Sequence, residues 1–144
     1  MSATGQAAPH SLSWSLTACP AAIPQWRRAV ALALREWGAD AQARELAAFG
    51  VSELLSNVIK HVSDRRCLLI LTSESIAFRV SVQDRSTRMP KVSIPGWDTE
   101  SGRGLWLLRE MAADWGYSRL PDGKAVWFRH PLKDGTGSAP ARRA

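Results

Sequence analysis

Glu53-Leu-Leu-Ser-Asn57-Val-Ile-Lys-His61 is the stretch on which the reading of this chain turns. Glu53, Asn57 and His61 recur at i, i+4 and i+8, which on a helix stacks them along one stripe. Beside it runs an apolar stripe of Ala47, Val51, Leu54, Val58 and Val62, so the helix is amphipathic and the polar stripe lies at the shoulder of its buried face. A carboxylate and an amide at that shoulder can face a cavity. The same spacing also fits an amphipathic helix with ordinary exposed polar residues, and the rest of the chain has to choose between the two.

Upstream, Ser11-Leu-Ser-Trp-Ser-Leu16 alternates polar and apolar, the signal of a half-buried strand. Pro20 and Pro24 suit the entry turn of a helix that continues through Trp26, Val30, Ala33, Leu34 and Trp37 and stops at Gly38. Asp40 is placed to cap the next helix, the one carrying Glu53, which ends near Val62 to Asp64. Downstream, Cys67-Leu-Leu-Ile-Leu-Thr72 and Ile76-Ala-Phe-Arg-Val-Ser-Val82 read as a hairpin of strands. Residues 85 to 101 are rich in Ser, Thr, Pro, Gly and Asp, with Pro90 and Pro95 opposing a regular ladder, and long loops inside small domains are usually functional. Arg103 to Ala113 regains helical periodicity through Leu105, Leu108 and Ala112. Trp115 to Leu120 and Lys124 to Arg129, joined by Pro121-Asp-Gly123, form a second hairpin. This order predicts an α+β two-layer sandwich, a mostly antiparallel mixed sheet with helices on one face. The folded unit is expected over residues 11–132, between a flexible N-terminus of residues 1–10 and a flexible C-terminal tail of residues 133–144.

A chain of 144 residues with 45% hydrophobic content is of a size for one domain with a real core. No apolar run is long enough to span a bilayer, and the N-terminal residues lack the layout of a signal peptide, so neither a membrane nor export is expected. Two cysteines, Cys19 and Cys67, have neither metal-ligand spacing nor the density of a disulfide scaffold. A cytoplasmic location follows. The net charge of +6 is carried in separate pairs, Arg27-Arg28, Arg65-Arg66 and Arg142-Arg143, without a recognition helix or an aromatic RNA-binding motif. It points to solvated faces and an acidic ligand or acidic partner protein, with no direct nucleic-acid contact expected. The seven tryptophans read as packing residues.

The chemistry of the candidate residues is consistent across the separated segments. Asn57 offers a neutral amide oxygen, which suits Mg²⁺ while the ion keeps waters and takes further oxygens from phosphates. Glu53, one turn earlier, lies where a carboxylate could accept a proton from an attacking hydroxyl or orient a water. His61 is a helix-end residue on the same stripe. Asp84, at the end of a strand, either starts a turn or accepts a hydrogen bond from the exocyclic amino group of adenine, which would select adenine over guanine. Gly102-Arg103-Gly104 precedes a helix, and two glycines there either cap it or let backbone N–H groups approach phosphates.

Taken in order, these motifs resemble the GHKL ATPase superfamily, and within it the small anti-sigma-factor serine/threonine kinases and their actinobacterial relatives. Ser52-Glu53-Leu-Leu-Ser-Asn57-Val-Ile-Lys-His61 is similar to their N box, Val82-Gln-Asp84-Arg-Ser86 to the first glycine box, Ser101-Gly102-Arg103-Gly104-Leu105 to the second, and Asp114-Trp115-Gly116 with Gly123-Lys124-Ala-Val-Trp127 to the closing hairpin. The resemblance implies a Bergerat-type ATP-binding fold, with ATP and Mg²⁺ held between the helical layer and the long loop, which would close as a lid. Asn57 would hold the metal and Glu53 would be the base or water-orienting group. Asp84 would read adenine beside Ser86, Gly102 and Gly104 would contact phosphates with Arg103 near them, and His61 and Leu105 would complete the nucleotide-binding set. Ser86 stands where the wider superfamily often has glycine, and Ala125 where relatives often carry a hydroxyl near the adenine-bound water. The function implied is phosphorylation of Ser or Thr on an anti-anti-sigma-type partner, with sequestration of a sigma factor and a homodimer both allowed. A catalytically silent, nucleotide-dependent protein-binding module is the alternative.

Overall fold

Hydrophobic period decides each element. The computed structural model describes residues 10–87 and 103–134, with Arg103 given by its backbone alone. Five strands and three α-helices follow in the order β1 Ser11–Thr17, α1 Ile23–Glu36, α2 Ala41–His61, β2 Arg66–Glu74, β3 Ala77–Asp84, α3 Arg103–Met111, β4 Asp114–Leu120 and β5 Gly123–Pro131, with a 3-10 turn Pro20–Ala22 before α1. The sheet order is β1-β2-β3-β5-β4. All four neighbouring pairs are antiparallel, so the sheet is not mixed. The loop expected over residues 85–101 and its lid role fall almost wholly outside the described residues.

Strand alternation divides the sheet into two faces. Cys67, Leu69 and Leu71 of β2, Phe78, Val80 and Val82 of β3, and Val126 and Phe128 of β5 point to the helices and form the core with Val30, Leu34, Leu46, Val51, Leu54, Leu55 and Val58. The other face carries Ser81 and Gln83, paired with Trp127 and Ala125. There the Arg79 guanidinium lies 4.1 Å above the Trp127 ring. Trp127 therefore packs on the face turned from the helices, whereas Trp14, Trp26, Trp37 and Trp115 pack on the core.

Helix ends are set by the residues that the sequence points to. Asp40 Oδ1 accepts from the Ala43 N–H at 2.9 Å, satisfying one of the free amides of α2's first turn. Its other oxygen, Oδ2, accepts from the Asp134 N–H at 2.8 Å, which ties the chain beyond β5 to the same cap. Gly38 has φ +90, a left-handed conformation that ends α1 and that a side chain rarely adopts. At the other terminus, His10 extends the pairing of β1: its N–H donates to Ser73 Oγ at 3.2 Å and its ring stacks on Trp37 with centroids 4.7 Å apart. His10 is thus held to the sheet, although the sequence groups it with the loose terminus; residues 1–9 and 135–144 lie outside the described residues.

Two contacts fix how α2 lies on the sheet. The Asp40 N–H donates to the Leu132 carbonyl at 2.9 Å, so α2 starts where β5 ends. Ten residues on, Gly50 sits against the Phe128 ring so closely that a Cβ there would meet the ring's Cζ and Cε2. Helix and strand run antiparallel, and the absence of a side chain at Gly50 sets their distance.

Candidate functional site

From the Gly50–Phe128 contact, the seven helical residues to Asn57 advance about 10 Å, and the four strand residues back to Lys124 span about 13 Å. Asn57 and the start of β5 therefore stand at one level of the gap between the layers. The far end of α2 points the same way. There the Asp64 carboxylate accepts from Arg66 Nε at 2.9 Å and lies 3.9 Å from Arg85 Nη1, joining the helix exit to the ends of β2 and β3. Arg66 holds the exposed Asp64 carboxyl down to about 2, chiefly through its side-chain hydrogen bond.

The polar stripe of α2 is partly buried. Glu53 and Asn57 are half-buried and His61, the last helical residue, is exposed. Glu53 reaches α3: its carboxylate lies on Gly104, at the place a Cβ would occupy, with Oε2 3.1 Å from that point. Burial pushes the Glu53 carboxyl above the usual range, a trend that the Lys60 charge opposes. A carboxylate with a raised proton affinity, set at the first turn of a helix, is suited to taking a proton. Leu105, the next residue of α3, is buried in the core and anchors that turn. Arg103 opens α3, and Gly102 lies outside the described residues.

Asp84 is where its position on β3 puts it: alternation from Phe78, Val80 and Val82 turns its side chain toward the helices, with 5% of the residue exposed. It also starts a turn, because Oδ1 accepts from the Ser86 N–H at 2.8 Å. Both readings of this residue describe one conformation. What the sequence reading does not provide is its partner. Lys124 Nζ donates to Asp84 Oδ1 at 3.0 Å and to Oδ2 at 2.9 Å, and both side chains are 2% exposed. The register Asp84↔Lys124 and Gln83↔Ala125 corrects the expectation for Ala125. Ala125 is paired with Gln83 on the face turned from the helices, and the residue beside Asp84 is Lys124. The signal was available: counting by twos from Phe128 and Val126 lands on Lys124.

A cleft of about 720 Å³ opens where the ends of β1, β2 and β3 meet the β4–β5 turn, with Thr17, Cys67, Gln83, Asp84 and Asp122 on its walls. It reaches Asp84 from the end of the sheet and does not include Glu53 or Asn57. The candidate residues meet in two separate contacts on the helix-covered side of the sheet, Glu53 with Gly104 and Asp84 with Lys124. Among the described residues no group of three or more His, Cys, Asp or Glu side chains is placed to hold a metal ion. Asn57 would supply one amide oxygen, and such a donor set fits a cation that takes its other ligands from phosphate and water.

One antiparallel sheet covered by helices, with an acid and an amide one turn apart on the covering helix, a glycine at the start of a second helix against that acid, and a buried strand-end aspartate, makes this a two-layer α+β domain. The family profile of the histidine kinase-like ATPase domain matches residues 16–130, and the chain belongs to that family. Among solved structures, the RsbU and RsbW domains of Rv1364c from Mycobacterium tuberculosis are similar, with a TM-score of 0.63 and 19% identity. That match covers 84% of this chain and 31% of the other, so the chain spans under a third of the length of that protein. No curated protein matches the chain in sequence. No helix among the described residues is long and apolar enough to cross a membrane.

Proposed function

We propose that this chain is a cytoplasmic ATP- and Mg²⁺-dependent regulatory kinase that phosphorylates Ser or Thr on an anti-anti-sigma-type protein, and that it also sequesters a sigma factor. The observation that carries this reading is the seating of the Glu53 carboxylate on Gly104, which brings the acid of α2 to the N-terminus of α3. A helix N-terminus with a glycine in its first turn favours phosphate oxygens, through free N–H groups and the helix dipole. Asn57, one turn from Glu53, would hold Mg²⁺, and the bound ion would neutralise charge on the β and γ phosphates.

Phosphoryl transfer asks little covalent chemistry of the protein. The partner's hydroxyl oxygen bonds to Pγ, the bond from Pγ to the bridging oxygen breaks, and ADP leaves with that electron pair. Glu53 takes the hydroxyl proton, for which its raised proton affinity suits it. The exposed basic residues favour an acidic partner surface.

The test is transfer of label from γ-labelled Mg-ATP to an anti-anti-sigma-type protein. Wild type labels it, and Glu53→Gln loses labelling while nucleotide affinity stays within about threefold, because the lost interaction belongs to the transition state. Full labelling by Glu53→Gln removes the assigned role. Nucleotide-dependent partner binding without any labelling establishes the silent binding module instead.

A further inference from the structure

A buried ion pair joins the end of β3 to the start of β5. A carboxylate accepts hydrogen bonds and cannot donate. Asp84 alone would accept from the 6-amino group of adenine and repel the 6-oxo group of guanine or hypoxanthine. Here both of its oxygens lie on the Lys124 ammonium, at 3.0 and 2.9 Å, with the Ser86 N–H on Oδ1 as well.

The structure does not need this pair in order to hold the strands together. β3 and β5 are already joined by an eight-residue ladder from Ala77↔Pro131 to Asp84↔Lys124, and two apolar side chains would fill a buried site at no greater cost than two charges. The pair also lies level with Asn57 and next to the turn at Ser86, where a base would enter if the phosphates sit at α3.

We infer that Lys124 sets the base specificity of this site, converting an acceptor-only adenine reader into a donor–acceptor pair that takes 6-oxopurine nucleotides as well as ATP. The inference rests on the nucleotide site proposed above. An ammonium has three N–H donors, and with two directed at Asp84 one is left for a ligand. Ammonium and carboxylate side by side then match either purine edge. Adenine gives its 6-amino N–H to Asp84 and accepts at N1 from Lys124. A 6-oxopurine accepts at O6 from Lys124 and gives its N1–H to Asp84. Inosine triphosphate is the cleanest probe, because it has the 6-oxo edge without the 2-amino group of guanine.

Equilibrium binding of ATP, ITP and GTP to the full chain with Mg²⁺ decides the matter. In wild type ITP binds within about tenfold of ATP, since each offers the pair two charge-assisted hydrogen bonds. In Lys124→Met the ratio of ATP to ITP affinity rises at least about tenfold, because O6 then faces an unmasked carboxylate. A merely structural ion pair would not move that ratio. Rejection of ITP by wild type by about 100-fold or more overturns the inference, as does an unchanged ratio in Lys124→Met. Should Lys124→Met fail to fold, the wild-type ratio decides alone. If wild type binds none of the three nucleotides, the proposed function falls together with this inference, whereas ATP binding with ITP excluded overturns this inference alone.

Discussion

Gly50→Ala tests the packing that positions the site. Gly50 is a buried residue in the middle of α2, where alanine would ordinarily stabilise the helix by about 1 kcal/mol. The added methyl would meet Cζ and Cε2 of Phe128, with Cδ2 3.1 Å away. Phe128 is fully buried and makes an edge-on contact with Phe78, ring centroids 6.2 Å apart at 86°, so the ring has little room to retreat. Overpacking of this kind costs roughly 1–3 kcal/mol, and disturbing the aromatic pair adds about 0.5–1.5 kcal/mol. Offset by the helix gain, the net loss is about 1–3 kcal/mol. With a urea m-value of about 1–3 kcal/mol per molar, the unfolding midpoint falls by roughly 1 M. Gly50→Ala with Phe128→Leu recovers part of this loss, and the double-mutant cycle gives a coupling of roughly 0.5–3 kcal/mol. The variant also pushes α2 from the sheet one turn before Glu53 and two before Asn57, so nucleotide affinity drops at temperatures where the protein is still folded. A Gly50→Ala protein as stable as wild type, with no coupling to Phe128→Leu, would refute the claim that this contact sets the helix-to-sheet distance.

Other consequences follow from single contacts. Gly104→Ala evicts the Glu53 carboxylate from its seat, so the melting temperature holds or rises while labelling of the partner falls on the order of 100-fold, as displacement of a catalytic group by about 1 Å can cost that much; unchanged labelling would separate Glu53 from α3. Labelling by wild type declines on acidification with an inflection above the ordinary carboxylate range, because burial raises the Glu53 carboxyl and only its ionised form takes a proton; a profile flat down to pH 4 would speak against it. Asp40→Ala removes the α2 cap and costs about 1 kcal/mol by denaturant unfolding at neutral pH. The Ala43 N–H holds the Asp40 carboxyl below its ordinary 3.8, so this contribution is complete above the unfolded value and is lost as pH falls through the lower folded one, where wild-type and variant stabilities converge. Cys67, pushed up to about 11 by burial, resists alkylation in the native protein at pH 8, whereas half-exposed Cys19 is modified first; equal rates for the two thiols would contradict the buried position of Cys67.

Much of this architecture is legible because each element repeats one period. Phe78, Val80 and Val82 recur every second residue, and Val51, Leu54, Leu55 and Val58 keep the helical spacing, so element type and inward face follow from the residues themselves. Caps are local, which makes Asp40 and Gly38 readable for the same reason. Distances across the layers are not local. That Glu53 reaches Gly104, or that Gly50 is the point of closest approach to Phe128, depends on how α2 and α3 lie on the sheet, and the sequence around either glycine says only that something small is tolerated there.

Lys124 marks the boundary between the two kinds of information. Strand parity alone turns it inward, but composition argues the other way, since lysines are almost never fully buried without a partner. The conflict is resolved 40 residues away in sequence, by Asp84 on the neighbouring strand. Two inward-pointing charged residues of opposite sign, each at the end of an otherwise apolar strand face, therefore form a stronger signal together than either does alone. Each is improbable as a buried residue and acceptable only as half of a pair. Once the β3–β5 register is fixed by their apolar residues, the pairing follows, and a carboxylate that accepts only is set beside an ammonium that donates only.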